Sequence, residues 1–443
     1  MNRIVALLVV AMIASACSTP SAAQKPLAPA ASAAPAEAPA PAPAPVAEAP
    51  KAEAPKPPPP PPPPPPPAQP AFDSSTTSKF DDAVAMVARG DTHGALQAFQ
   101  ALAERNAKVD YAWTNVGILK ERLNDTAGAE AAYRKAIAAK PDQDVAWDSL
   151  ARLYCRTKRC GQIEMELKTR VSQDPASTGA RTAYAYVLVH QGRSVEAQTE
   201  AKKVLKTDER HVRAMQVLAL AYIKENKNEL ARMVLENAKA VNAQDPATFN
   251  QLGSVYLTLK MKPQALEAFK QAASLKSDFA DAKNNYGALL NESTDYDSAV
   301  RELEAAVAAA PDFVPAHLNL GNAYRGKQDI AKALAQYAEV LRLAPDLTDT
   351  YFNLAVLHLD SDVPGMDGVE RLKKSISYFN QYRDRGGKDD RVEQYIKDAN
   401  KGIEKEERRK ERERKDALKK AEKEKKAAEE AKKGAGKLQT DEK

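Results

Sequence analysis

The sequence predicts an all-α protein, a solenoid of about nine stacked helical hairpins, and three observations predict it. Pro141 and Pro175 are 34 residues apart, as are Pro311 and Pro345, and Pro175 and Pro311 are separated by four such steps. A small residue recurs in the same register, and a large apolar residue recurs sixteen positions after it. Composition agrees, because alanine is abundant and aromatic residues make up only 6% of the chain. Alanine favours helix and lets helices pack closely.

Placing the four prolines at position 32 starts the units at Thr76, Asp110, Asp144, Thr178, Val212, Pro246, Ala280, Val314 and Thr348. Position 8 is then Ala83, Gly117, Ala151, Ala185, Ala219, Gly253, Gly287, Gly321 and Ala355. Position 20 is alanine from Ala95 to Ala333 except at Ile163, and position 24 is large except at Ala201. Small residues at 8 and 20 are expected where the two helices of a hairpin cross, with position 24 filling the space beside the crossing. A hairpin cannot bury its apolar face alone, so stacking supplies the core.

The N-terminus reads as an address. Met1-Asn2-Arg3 is a short positive start, Ile4 to Ile13 is an apolar run, and small residues precede Cys17. This is the pattern of a signal peptide over 1–16. Ala14-Ser15-Ala16-Cys17 resembles the lipobox of bacterial lipoproteins, with Ala14 where leucine is usual. The resemblance implies an acylated Cys17 and, because Ser18 is not aspartate, a lipid anchor in the outer membrane facing the periplasm. The alternative is ordinary cleavage with an unmodified cysteine.

Residues 17–72 are almost wholly Ala, Pro, Glu and Lys, with an unbroken proline run from Pro57 to Pro67. Such a segment builds neither a core nor a β ladder. It is expected to be a disordered tether, extended as polyproline II in places.

The solenoid is expected over 76–390. Trp113…Val116-Gly117, Trp147…Leu150-Ala151…Tyr154, Phe249…Leu252-Gly253…Tyr256 and Asn319-Leu320-Gly321-Asn322-Ala323-Tyr324 carry a W-x-x-L-G-x-x-Y pattern. In this the chain resembles the tetratricopeptide repeat family, which implies a right-handed superhelix that binds protein segments on its inner face. Two departures stand out. Unit one has Asp82 at position 7, the mark of a frayed or capping hairpin. Unit nine carries extra residues around Asp360 to Gly365, a loop before a second helix through Ser375 and Phe379.

The resemblance implies that positions 2, 5, 6, 9 and 12 of each first helix face the groove. In units six to nine these supply Asn250, Gln251, Asn284, Asn285, Asn319, Asn322, Arg325 and Asn353 as partner-binding candidates. Evenly spaced side-chain amides pair with the N–H and C=O of an extended peptide. The other reading is that they meet only water. In the first half, Tyr111, Arg152, Arg156, Tyr186 and Arg213 suggest a basic, aromatic lining for an acidic segment. Position 5 is never lysine, which disfavours the carboxylate clamp of chaperone-binding relatives.

Chemistry is scarce. Cys155 and Cys160 straddle the turn of unit three, so a local disulfide is expected in an oxidising compartment, with free thiols the alternative. The five histidines fall in different units, and His317 and His358 take packing positions. No phosphate loop, nucleophile elbow or metal-ligand spacing stands apart from the repeat. The expectation is no enzyme, no cofactor and no metal.

The net charge of +5 resides in 401–443, which hold 17 basic and 12 acidic residues, so the body is neutral. That argues against a nucleic-acid-binding body. Residues 391–433 are expected to form a capping and then charged helix, which weakly contacts anionic polymers, with a disordered tail at 434–443. The whole is similar to tetratricopeptide lipoproteins of the myxobacterial adventurous gliding-motility apparatus and to those that help pilus secretins assemble. The expected function is an outer-membrane-anchored scaffold that binds envelope proteins. The alternative is a regulatory or adaptor subunit of a peptidoglycan or polysaccharide export enzyme complex.

Overall fold

The computed structural model describes residues 74–105 and 110–438. The signal peptide, the lipidation site Cys17 and the 17–72 tether lie outside the described residues. Among the described residues there are nineteen helices and no strand. Hairpins form from α1 (Ser74–Ala88) and α2 (Thr92–Arg105), α3 (Asp110–Arg122) and α4 (Thr126–Ala139), and α5 (Asp144–Arg156) and α6 (Cys160–Gln173). The next three are α7 (Thr178–His190) with α8 (Ser194–Thr207), α9 (Val212–Lys224) with α10 (Asn228–Val241), and α11 (Pro246–Thr258) with α12 (Lys262–Leu275). Then come α13 (Ala280–Glu292) with α14 (Tyr296–Ala309), α15 (Val314–Gly326) with α16 (Ile330–Leu343), and α17 (Thr348–Asp360) with α18 (Gly368–Asp384). A last helix, α19 (Val392–Leu438), follows. From α3 onward the first helices start every 34 residues. The architecture is an α-solenoid.

Each of the first eight hairpins turns through one residue in the left-handed backbone region, always at position 15. Gly90 and Gly192 adopt it freely, with φ of 83° and 79°, and Asn124 and Asn226 tolerate it at 60° and 59°. Lys158, Lys260, Thr294 and Gln328 are forced into it by the repeat.

The periodic prolines are held by a second regularity that the sequence pattern did not announce. Position 4 of the next unit donates to each proline carbonyl: Trp147 Nε1 to Pro141 at 2.8 Å, Arg181 Nη2 to Pro175 at 2.8 Å and Tyr351 Oη to Pro345 at 2.7 Å. His317 Nε2 lies 2.9 Å from the Pro311 carbonyl. Four chemically different donors do one job, which is why no residue type marks the position.

Position 8 is small because it meets the side chain at position 24. A Cβ added to Gly117, Gly253 or Gly321 would lie 2.4, 2.6 or 2.6 Å from the ring of Tyr133, Phe269 or Tyr337. Those rings are fully buried. In unit nine the register resumes after the loop: Ser375 donates its hydroxyl to the Ala355 carbonyl at 2.8 Å, and Phe379 is buried against Phe352 and Tyr395. Unit one is a packed hairpin despite Asp82. Phe80 meets Phe99 edge to face at 5.3 Å and supplies the missing bulk.

Unit three departs from its neighbours. Ile163 occupies the crossing where seven other units have alanine and unit nine has Ser375, and α5 packs more extensively against α7 than against its own partner α6. Gly179 permits that approach, since a Cβ there would lie 2.9 Å from the Asp144 Cα. Cys155 and Cys160 are joined by a disulfide across this looser turn, with their Cα atoms 4.3 Å apart.

The start of α19 covers the last hairpin with Val392 and Ala399, both buried. The helix runs through Gly434 and Gly436 to Leu438, past the expected end at 433. Helix propagation is cooperative, and two glycines at the end of 47 residues do not suffice to stop it.

Candidate partner-binding groove

Neighbouring first helices touch one another along much of the stack, α5 on α7, α7 on α9, α13 on α15 and α15 on α17, whereas second helices contact the first helices beside them. The first helices therefore line the narrower, inner side. The solenoid curls enough that Arg122, at the end of α3, pairs with Asp278 in the turn before α13, 156 residues on.

In units two to five the inner side is charged and paired with itself. Asp148 Oδ2 lies 2.9 Å from Arg152 Nε and 3.6 Å from Arg213 Nη1, and Asp148 and Arg152 are buried. The Arg152 guanidinium also sits over the Tyr186 ring at 4.5 Å. Burial opposes ionisation of Asp148, but the Arg152 and Arg213 charges outweigh it and hold the carboxyl below its ordinary range. Arg156 pairs with Glu121, and His211 Nε2 bonds Asp144 Oδ2 at 2.9 Å. The expected basic lining is thus neutralised by acids of the same face. Asp148 and Arg152 are four apart on one helix, which was the signal available for the pair.

Where the two halves meet, Lys276 and Asp281 lie among Arg122, Arg213 and Asp278. Burial pulls the Lys276 ammonium down to about 8 and pushes the Asp281 carboxyl up to about 7.

Units six to eight carry a ladder of amides. Asn285 Nδ2 donates to Asn250 Oδ1 at 3.0 Å, Asn284 Nδ2 to Asn285 Oδ1 at 3.3 Å, and Asn319 Nδ2 to Asn284 Oδ1 at 2.9 Å. The amides link α11, α13 and α15 to one another, which spacing alone did not reveal. Each Nδ2 in the ladder still has an N–H to give, since an amide carries two. Asn322 Oδ1 accepts from the Tyr337 hydroxyl at 2.7 Å, which ties it to the hairpin core. Asn353 is half-buried one unit further on, and the Arg325 Nε and Gln251 Oε1 atoms are buried without a hydrogen-bond partner. Both amide atoms of Asn115, with Asp148 Oδ1, Arg152 Nη1 and Thr182 Oγ1, are in the same condition in units two to four. Buried polar atoms of this kind are normally satisfied by a bound polar group or by water.

His317 and His358 are buried packing residues. His358 Nδ1 lies 2.8 Å from the Leu354 carbonyl, and His317 bridges Gln336 and the Pro311 carbonyl. Among the described residues no group of His, Cys, Asp and Glu is arranged to hold a metal, and no helix is long and apolar enough to cross a membrane.

Residues 80–144, 289–348 and 318–389 match one tetratricopeptide repeat profile, and 246–279 match another. The chain therefore carries tetratricopeptide repeats, and no catalytic family is among the matches. Among solved structures it is similar to the Cut9–Hcn1 hetero-tetramer of the APC/C, with a TM-score of 0.57 at 15% identity over 68% of this chain and 58% of that one. This chain thus spans under two thirds of that relative. Pseudomonas aeruginosa pilF aligns with a TM-score of 0.39 at 22% identity, over 45% of this chain and 91% of that one. YrrB, described as a TPR protein with an unusual peptide-binding site, aligns with a TM-score of 0.34 at 20% identity, over 42% and 96%. A search of the curated proteins returns no match. Tetratricopeptide repeats are protein-interaction scaffolds, and that is the class this fold defines.

Proposed function

We propose that this chain is a non-enzymatic scaffold, lipid-anchored through Cys17 in the outer membrane and facing the periplasm, which grips an extended segment of a partner protein in units six to nine. In this role it helps assemble an envelope machine such as a gliding-motility or pilus apparatus. The observation that carries the groove assignment is the amide ladder from Asn250 to Asn319, which links three successive first helices and leaves spare N–H donors on α13 and α15. The buried Gln251 carbonyl on α11 and the Arg325 Nε at the end of α15 add unmet polar capacity. The address rests on the ASAC sequence ending at Cys17.

The test is in-cell crosslinking from the groove, read by mass spectrometry, in the parent and in an Asn285→Ala, Asn319→Ala, Asn353→Ala variant. The expected result is crosslinks to motor or secretin subunits that the variant loses while its helicity stays intact. Crosslinks that persist in the variant would remove the groove assignment. Crosslinks to wall synthases or export proteins would favour the adaptor alternative.

A further inference from the structure

Helix α19 is built with two opposite faces. Val392, Ala399 and Ile403 turn toward the last hairpin, Gly402 packs against Leu372, and Lys410 Nζ reaches Asp367 Oδ1 at 2.9 Å. At 100° per residue, the line opposite that docked face passes through Lys397, Lys401, Lys405, Arg408, Arg412, Lys415, Lys419, Lys423 and Lys426. Their spacings of three and four average one helical turn, so the basic residues stay on one straight line for roughly 44 Å, about 5.4 Å apart. All are exposed. Lys401, Arg408 and Lys415 make exposed pairs with Asp398, Glu404 and Glu411, contacts that contribute little. Lys397, Lys405, Arg412, Lys419 and Lys423 pair with no acid among the described residues. A helix made only for solubility would mix its signs on every face, whereas here the acids are moved to the flanks. Glu404, Glu411, Glu422 and Glu429 run down one side of the stripe, and Asp398 and Asp416 border it on the other, with Arg409 and Lys420 beyond them.

We propose that this outward stripe binds a linear acidic polysaccharide, a chain with one negative group per sugar. The ligand must be narrow, because the acidic flanks repel anything wide. A membrane surface is wide, and the stripe has no apolar residue to insert into one. A duplex groove would press phosphates against both flanks. Single-stranded nucleic acid binds through aromatic platforms, and the stripe has none. A partner helix would need an apolar seam. What remains is a flexible polyanion held along one line by charge alone. This binding is independent of the groove and gives the scaffold a second, sequence-distant attachment.

The experiment uses the full chain and fluorescently labelled polygalacturonate, with binding followed by anisotropy at low and moderate salt. One variant carries Arg412→Gln, Lys419→Gln and Lys423→Gln on the stripe. Its control carries Arg414→Gln, Lys420→Gln and Lys425→Gln, which removes the same charge from elsewhere on the helix. The stripe variant should lose about tenfold in affinity and show a shallower salt dependence, while the control loses less than about twofold. A charge-keeping variant, Arg412→Lys with Lys419→Arg and Lys423→Arg, should bind like the parent. Equal loss in the two Gln variants would reduce the effect to net charge and overturn the proposal. So would an absence of binding by the parent, or tighter binding to anionic vesicles or single-stranded DNA at the same salt.

Discussion

The two halves of the inner groove solve the same packing problem with different chemistry. In units two to five, charged side chains pair with one another, Asp148 and Arg152 from buried positions: Asp148 with Arg152 and Arg213, and Glu121 with Arg156, while His211 bonds Asp144. In units six to eight, uncharged amides do the linking, from Asn250 through Asn285 and Asn284 to Asn319. A buried charge network has high stakes, because removing one member strands the rest. An amide ladder loses only the bonds that are cut and keeps donors to spare. The first half therefore reads as a section tied by mutual charges, although Asn115 and Thr182 keep unmet polar atoms there, and the second as a section able to exchange neighbours for a ligand.

The largest break in this comparison should come from Asp148→Ala, which leaves two arginine charges without their shared counterion. Denaturant unfolding should show a loss of about 3–5 kcal/mol. A loss below about 1 kcal/mol would mean that water already screens the network. The matching cut in the second half, Asn284→Ala, removes two amide hydrogen bonds and should cost about 1–3 kcal/mol in the same assay. If it cost as much as Asp148→Ala, the distinction between the halves would fail.

A pH-dependent effect sharpens the boundary between them. The Asp281 carboxyl sits at about 7 in the folded chain against an ordinary 3.8. Between those values the folded state holds a proton that the unfolded state has released, so stability falls as pH rises through this window. Asp281→Asn should therefore melt higher than the parent at pH 8 and no higher at pH 4. A gain of equal size at both values would show that Asp281 acts by packing and not by charge.

The repeat was legible because it is a matter of side-chain size at fixed intervals. Glycine at 117, 253 and 321 is dictated by a ring sixteen residues later, and both halves of that bargain are visible in the sequence. The candidate site was legible in its membership but not in its bonding. Asn285 and Asn319 could be assigned to one face by position, yet nothing in the spacing shows that Asn285 reaches back to Asn250 and Asn319 to Asn284. The arginines of the first half were visible, while their neutralisation was not, because Arg156 meets Glu121 from the preceding unit. The donors to the proline carbonyls escaped notice for a different reason, since indole, guanidinium, imidazole and phenol share a hydrogen and no sequence identity.

The sequence by itself determined the hairpins, their 34-residue beat and the one-sided basic line on α19, because each depends only on which residues recur at helical intervals. Tertiary structure alone decided how far the superhelix curls, which brings Arg122 to Asp278 and leaves Lys276 and Asp281 half-buried nearby. Curvature is the sum of small rotations at every interface, set by side-chain shape, and unit three, with Ile163 at the crossing, packs α5 more on α7 than on α6. Local periodicity carries no record of that sum.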